Sequence, residues 1–388
     1  MSGILTGLES LGVDVTIFAP GEAAGDLSSA RFVRLPTGER FNLAERFARQ
    51  LMATPAIGNA IFWSRAMLNK QVGTLAKALI SINPSVDVLQ GEQQLASMAA
   101  IEAGRELGLP VVADLHGMWS EELLAFGSTK RGGRADRNIR TLESAIVKSA
   151  DHVSVVSPEM RDYLLSNLAA DPARVSVVRN GSFPQIPSAP PHPHPRHLVF
   201  AGMLSPLQNI GLLLDAMSIV CREIPEVELH LTGRGNLTDS VKRQCRKTGL
   251  PARFFWFEDP KQLLQFLASC DVGLLPVNAD PGRRMIHPTK LYAYMSVGLP
   301  IVTNRSAAWS ELVEREEIGI VTDSTPMGFA NGVLEFLREP SRIQRYGERA
   351  LTLLRTKYPY ARELETFVAI YSRLCGGGML APPIASQG

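Results

Sequence analysis

His116 stands at the end of an apolar run, Val111 to Leu115, and is followed at once by Gly117. A histidine at the end of a buried strand meets whatever binds there, and otherwise serves as a satisfied structural residue. Gly202 and the triplet Gly233-Arg234-Gly235 also follow apolar runs directly. Glycine there lets backbone approach a phosphate or a nucleobase closely, or simply makes a tight turn. Arg283, Arg284 and His287 lie just upstream of Pro288, and Lys290 follows at the start of a helical pattern. Arginine forks match phosphate oxygens, whereas on a solvated loop they do little. Glu311 falls near a helix start, where the dipole favours acids. Glu121 and Glu122 read as surface residues of their helix, with acceptor orientation as the alternative. The chemistry these residues share is capture of an anion at strand ends and helix N-termini, where unpaired amides and the helix dipole favour negative charge.

Other chemistries have no motif. No Ser-His-Asp arrangement, HExxH pair or GxxxxGK[ST] loop appears in the chain. Cys221, Cys245, Cys270 and Cys375 form no CxxC pair and read as reduced thiols of a cytosolic protein. The net charge of +2 supplies no field that would favour nucleic acid. No stretch approaches the ~20 apolar residues of a membrane span. There is no basic segment with an apolar run at the start. A cytoplasmic location is expected, with peripheral contact at the inner face of a membrane as the one membrane option.

Strands alternating with helices must position these residues. Strands are expected at 13–18, 86–89, 111–115, 153–156 and 175–178, with helices at about 60–82, 95–107 and 135–149. Ser157 caps a helix that opens with Pro158. Asn180-Gly181 reads as a turn. A second series begins at His197 and continues at 227–231, 253–256, 272–275, 301–302 and 318–321. Helices at about 340–357 and 360–374 end the chain. This alternation predicts parallel sheets covered on both faces. The 388 residues divide into two such domains. Residues 1–186 form the first, and 187–196 a stiff linker, since prolines fill half of 184–195. Residues 197–345 form the second domain. Residues 346–375 are terminal helices, the last crossing back to the first domain, and 376–388 a disordered tail.

Four stretches of the second half resemble the retaining glycosyltransferases of family four in the GT-B class. They are Val199 to Pro206 with Asn209-Ile210 and Leu212 to Ala216, Leu229 to Gly235, Ala268 to Pro276, and Pro288 to Val302. Asp114 to Gly117, Ala150 to Val153, Val155 to Met160 and Asn180-Gly181 resemble the same family in the first half. The resemblance implies an α/β GT-B fold, two Rossmann-like doubly wound domains facing a central cleft. It implies sugar transfer from a nucleotide-diphosphate sugar to a glycan or lipid-linked acceptor, with no metal and no other cofactor. His116 and Lys290 then take the catalytic roles. Donor contacts fall to Gly202, Gly233, Arg234, Gly235, Arg283, Arg284, Pro288, Thr289, Tyr292 and Glu311. Gly3 and Gly117 lie on the acceptor side.

Three positions depart from the family pattern. Met203 and Gln208 stand where the family carries an arginine and a lysine, and Ala293 where it carries a glutamate. The alternative they raise is a non-catalytic GT-B protein that binds a nucleotide, glycan or partner enzyme. Family members also begin with a strand and a Gly-Gly loop. Ser2-Gly3 is similar to the end of that loop, so a central strand is expected upstream of Met1.

Overall fold

The computed structural model describes residues 7–20, 31–35, 62–184, 195–278, 281–305 and 308–376. The chain divides into two compact units, 1–179 with 363–388, and 180–362. Among the described residues, no helix is long and apolar enough to cross a membrane.

The first unit holds six described strands, all paired in parallel. β1 (Thr16–Ala19) pairs β2 (Arg31–Arg34). A separate sheet runs β3 (Leu89–Glu92), β4 (Val111–Leu115), β5 (His152–Val155) and β6 (Val175–Val177), in that order. The strand expected upstream of Met1 lies outside the described residues. β2 has no counterpart in the sequence reading, because Arg31-Phe32-Val33-Arg34 is too short and too charged to stand out.

Helices α1 (Arg65–Ile82), α2 (Gln93–Leu107), α3 (Trp119–Ala125), α4 (Arg134–Ser149) and α5 (Pro158–Leu168) complete the body of the unit. Ser157 caps α5 as expected, accepting from the Met160 amide at 3.0 Å. Gly108 closes α2 at φ 70°. The strand expected at 86–89 sits three residues later. Its ladder starts where Leu89 donates to the carbonyl of Pro110, so the polar end Gln90-Gly91-Glu92 pairs and Val86-Asp87-Val88 does not.

Among its described residues, the second unit holds one parallel sheet of six strands in the order β12-β11-β10-β7-β8-β9. They are β7 (His197–Ala201), β8 (Glu228–Thr232), β9 (Ala252–Phe255), β10 (Val272–Leu275), β11 (Ile301–Asn304) and β12 (Gly319–Thr322). The chain winds outward from β7 in one direction, then returns to β10 and winds in the other. The switch point therefore falls between β7 and β10, the place where ligands bind at the carboxyl ends of the strands in open parallel sheets. α6 (Ile210–Glu223), α7 (Thr238–Thr248), α8 (Pro260–Ala268), α9 (Pro281–Arg284), α10 (Thr289–Ser296), α11 (Ala308–Arg315), α12 (Pro326–Arg338) and α13 (Pro340–Thr356) surround the sheet. Leu213, Met217, Phe329 and Phe336 fill the core on one side, and Leu291, Tyr294, Trp309 and Leu354 the other.

α14 (Tyr360–Leu374) begins in the second unit and then belongs to the first. Its Glu363 binds Arg179, its Tyr371 hydroxyl donates to Gln90 at 2.5 Å, and its Arg373 donates to His152. Asn180-Gly181 makes no turn. Asn180 donates to the carbonyl of His287 at 2.7 Å, and a side chain on Gly181 would strike the Tyr360 ring. Close approach, not reversal of the chain, requires this glycine.

Candidate functional site

Each unit gathers polar groups at the carboxyl ends of its strands. In the first, parallel register sets Glu92, the last residue of β3, beside Asp114 of β4. His116 follows β4, and its Nε2 lies 3.0 Å from Glu92 and 3.2 Å from Asp114. Asp114 is buried and also accepts from the Ser154 hydroxyl at 2.7 Å. α2 begins without any loop after Glu92. A side chain on Gly91 would collide with the backbone of Ser97, and Gln93 takes φ +64°. A left-handed non-glycine residue costs roughly 1–3 kcal/mol. That tight turn sets where the Glu92 carboxylate points.

Burial opposes a charge on His116, but the hydrogen bonds to Asp114 and Glu92 outweigh it and raise its pKa to about 10. Burial pushes the Asp114 carboxyl up, against the pull of His116. Burial also opposes the charge on Glu92, yet His116 holds that carboxyl below its usual range. His116 is thus an imidazolium near neutral pH, a fixed donor and not a base. The three side chains could hold a divalent cation only by giving up that proton.

Gly117 is held by Gln94, whose amide donates to its carbonyl at 2.7 Å. Glu121 is not on the helix surface: it is buried and clamped by Arg131 and Arg140, each at 2.8 Å. Burial would raise its pKa, but Arg140 and Arg131 hold it low. α3 is the helix on whose surface Glu121 and Glu122 were expected. It docks through this clamp and through Glu143, which accepts from the Ser120 amide at 3.0 Å. Burial raises Glu143 to about 7.

In the second unit, α10 starts at Thr289 with Pro288 as its cap residue. Lys290 in its first turn reaches back across β7. Its Nζ lies 2.7 Å from the Gln208 side-chain oxygen and 4.2 Å from the centre of the Phe200 ring. A side chain on Gly202 would lie 2.6 Å from that ammonium. Gly202 (φ +136°) therefore makes room for Lys290. Tyr294 sits one turn further along α10, on the same face. Its buried hydroxyl accepts from the Ala201 amide at 2.8 Å and lies 3.3 Å from the carbonyls of Val199 and Leu274. The β7–β10 ladder covers only two residue pairs. Tyr294 fills the place of the missing rungs, and Lys290 stands above it at the switch point.

The remaining expected residues spread more widely. The amides of Gly202 and Gly233 bond to Thr232 and Phe255, and that of Gly235 to the Thr238 hydroxyl. These glycines are spacers, and their amides are engaged within the protein. A side chain on Gly233 would strike the carbonyl of Gly202, and one on Gly235 that of Leu204. Arg234 is exposed and lies over the Trp256 ring at 4.8 Å. Tyr292 is buried, its hydroxyl 3.2 Å from His287, so it packs rather than faces solvent. Thr289, Arg284 and Glu311 are exposed, and Pro288 is half-buried. The side chain of Arg283 and the whole of Gly3 lie outside the described residues.

Met203 is exposed, and Ala293 packs beside the second core. Gln208, one of the departures, is the residue that receives Lys290. Glu92, Ser154 and Tyr294 were missed as site residues. Their signal was available only in part, since Tyr294 lies four residues after Lys290 but Glu92 reaches His116 through strand register.

Comparison with known proteins agrees in both halves. The description "Glycosyl transferase 4-like domain" matches residues 1–181, and "Glycosyl transferases group 1" matches residues 195–339. A glycogen synthase of Mycobacterium tuberculosis is 24% identical over 332 residues, 84% of this chain and 76% of its own. Sucrose-phosphate synthase from Thermosynechococcus elongatus superposes with a TM-score of 0.72 at 16% identity, covering 97% of this chain and 92% of that one. HepE of Anabaena, solved in complex with UDP and glucose, gives 0.64 at 16% identity, covering 77% and 81%. The chain belongs to the glycosyltransferases of the GT-B class, family-four type.

Proposed function

We propose that this glycosyltransferase takes a sugar from a nucleotide-diphosphate donor held in the second unit and passes it, with retention, to a hydroxyl of a glycan or lipid-linked acceptor. One observation carries the reading. Lys290 presents an ammonium at the β7/β10 switch point, above Gly202 and at the first turn of α10. A helix start and a lysine at a switch point form a site for an anion. The UDP and glucose bound by the Anabaena relative support a nucleoside diphosphate as that anion.

Lys290 would neutralise charge that develops on the departing diphosphate, where a preorganised cation is worth several kcal/mol. Gln208 keeps its head in place without adding a second positive charge. His116 would donate from its imidazolium to an acceptor-side or sugar oxygen. Neither residue acts as a nucleophile, and no metal is needed for the step.

Turnover on a panel of nucleotide sugars tests this, with product anomers read by NMR. Wild-type protein should transfer one sugar with its anomeric configuration kept. Lys290→Ala should lose about 10²–10³ in kcat. Turnover unchanged in that variant would remove Lys290 from the mechanism, and an inverted product would remove the retaining assignment.

A further inference from the structure

We infer that His197, Glu228 and His230 form a site for one divalent transition-metal ion of the zinc type, at the end of the second sheet remote from Lys290. His197 opens β7 and Glu228 opens β8, and parallel register pairs the two. Paired residues of neighbouring strands share a face of the sheet, and so do residues two apart on one strand. Glu228, His230 and His197 therefore project to the same side. A ligand atom from each lies within 4.8 Å of the other two. The site stands about 16 Å below Gly202 along β7.

Its donors fit a borderline-soft cation. Two imidazoles and one carboxylate are a common three-ligand set for zinc, and they leave a fourth position for water. The frame is rigid. The Asp271 carboxylate accepts from the amides of Arg196 and His197, each at 2.8 Å, which fixes the start of β7. The His197 and His230 rings stack at 5.0 Å, and Phe255 and Phe266 wall His230 in at 5.2 and 5.6 Å. Cys270 lies 3.9 Å from His230 Nδ1, while Nε2 of that ring faces Glu228 at 3.3 Å. The ring is thereby oriented from its far side, as metal-bound histidines are.

Arg253 competes. Its guanidinium holds one oxygen of Glu228 at 2.6 Å, and the other oxygen is turned to His230. The arginine is largely exposed and can swing into solvent. An ion bound here would tie β7 to β8 where the chain enters the sheet, with no part in the transfer step.

Calorimetry of the metal-stripped full chain with ZnCl2, joined to Co2+ absorption spectra, tests the assignment. Wild-type protein should bind one equivalent and give the intense visible bands of tetrahedral Co2+. His197→Ala and Glu228→Gln should each weaken binding at least tenfold and remove those bands. Arg253→Gln should tighten it roughly threefold to tenfold, because a neighbouring positive charge is gone. His116→Gln should leave it unchanged. Absence of saturable binding would overturn the site. So would binding undiminished in both the His197 and Glu228 variants, or lost in the His116 variant.

Discussion

Among single residues, His116 and Glu143 set the clearest pH-dependent expectations. The folded pKa of His116, about 10, lies above its unfolded value. Its contribution to stability is therefore complete below about pH 6.5 and disappears as pH rises towards 10. In chemical denaturation across pH 6.5 to 10, the stability difference between wild type and His116→Gln should shrink steadily. A constant difference would mean that the imidazole is not held charged. Glu143 is an acid raised to about 7. The unfolded chain ionises it from about pH 4.5 while the native chain resists, so native stability falls between 4.5 and 7 and is level above that. Glu143→Gln should remove this fall and be more stable at pH 8 by about 3 kcal/mol.

Position at a strand end or helix start drew attention to His116 and Lys290, and the family resemblance gave them their roles. Their partners were harder to read. Glu92 reaches His116 only through the register of β3 on β4, and Gln208 reaches Lys290 across 82 positions. Glu121 looked like a surface acid because a first-turn glutamate usually is one. Arg131 and Arg140, brought in by tertiary packing, make burial of its charge tolerable.

At the scale of elements, α10 works as a two-level wedge. Tyr294 spreads and stitches β7 and β10, and Lys290 occupies the opening above. Tyr294→Phe removes one hydroxyl and leaves the Ala201 amide buried without its partner. The expected cost is about 1–3 kcal/mol in unfolding free energy, with little change in side-chain volume. A neutral result would show that the amide finds another acceptor. α3 is held by charge in place of length. Arg140→Ala should cost about 3–5 kcal/mol, since Glu121 and Asp136 would remain buried with less compensation. Helices with cap signals were legible in the chain, as Ser157-Pro158 and Gly108 show. β3 was misplaced by three residues because β-branched content marks propensity, whereas pairing follows the neighbour at Val111. Asn180-Gly181 misled for a similar reason. Its composition is that of a turn, but Gly181 is needed where the Tyr360 ring comes close.

For the whole molecule, strand–helix alternation was enough to read two α/β units of parallel strands, and family resemblance covered both; that β1 and β2 stand apart from the β3–β6 sheet was not legible. The winding of the second sheet outward from β7 and then from β10 is what locates its binding edge. The last helix joins the first unit although it follows the second in sequence. Deleting residues 363–388 should therefore lower the unfolding temperature of the first unit and spare the second, as followed by hydrogen exchange in each. Equal protection in both units after deletion would contradict that division.

The central claim is that the carboxyl edge of the second sheet, at Lys290, binds a nucleoside diphosphate. A crystal structure of the full chain soaked with UDP or GDP tests it most directly. The diphosphate should lie within hydrogen-bonding distance of Lys290 Nζ beside Gly202. A nucleotide bound elsewhere on the chain, with Lys290 still closed on Gln208 and no phosphate near it, would contradict the account.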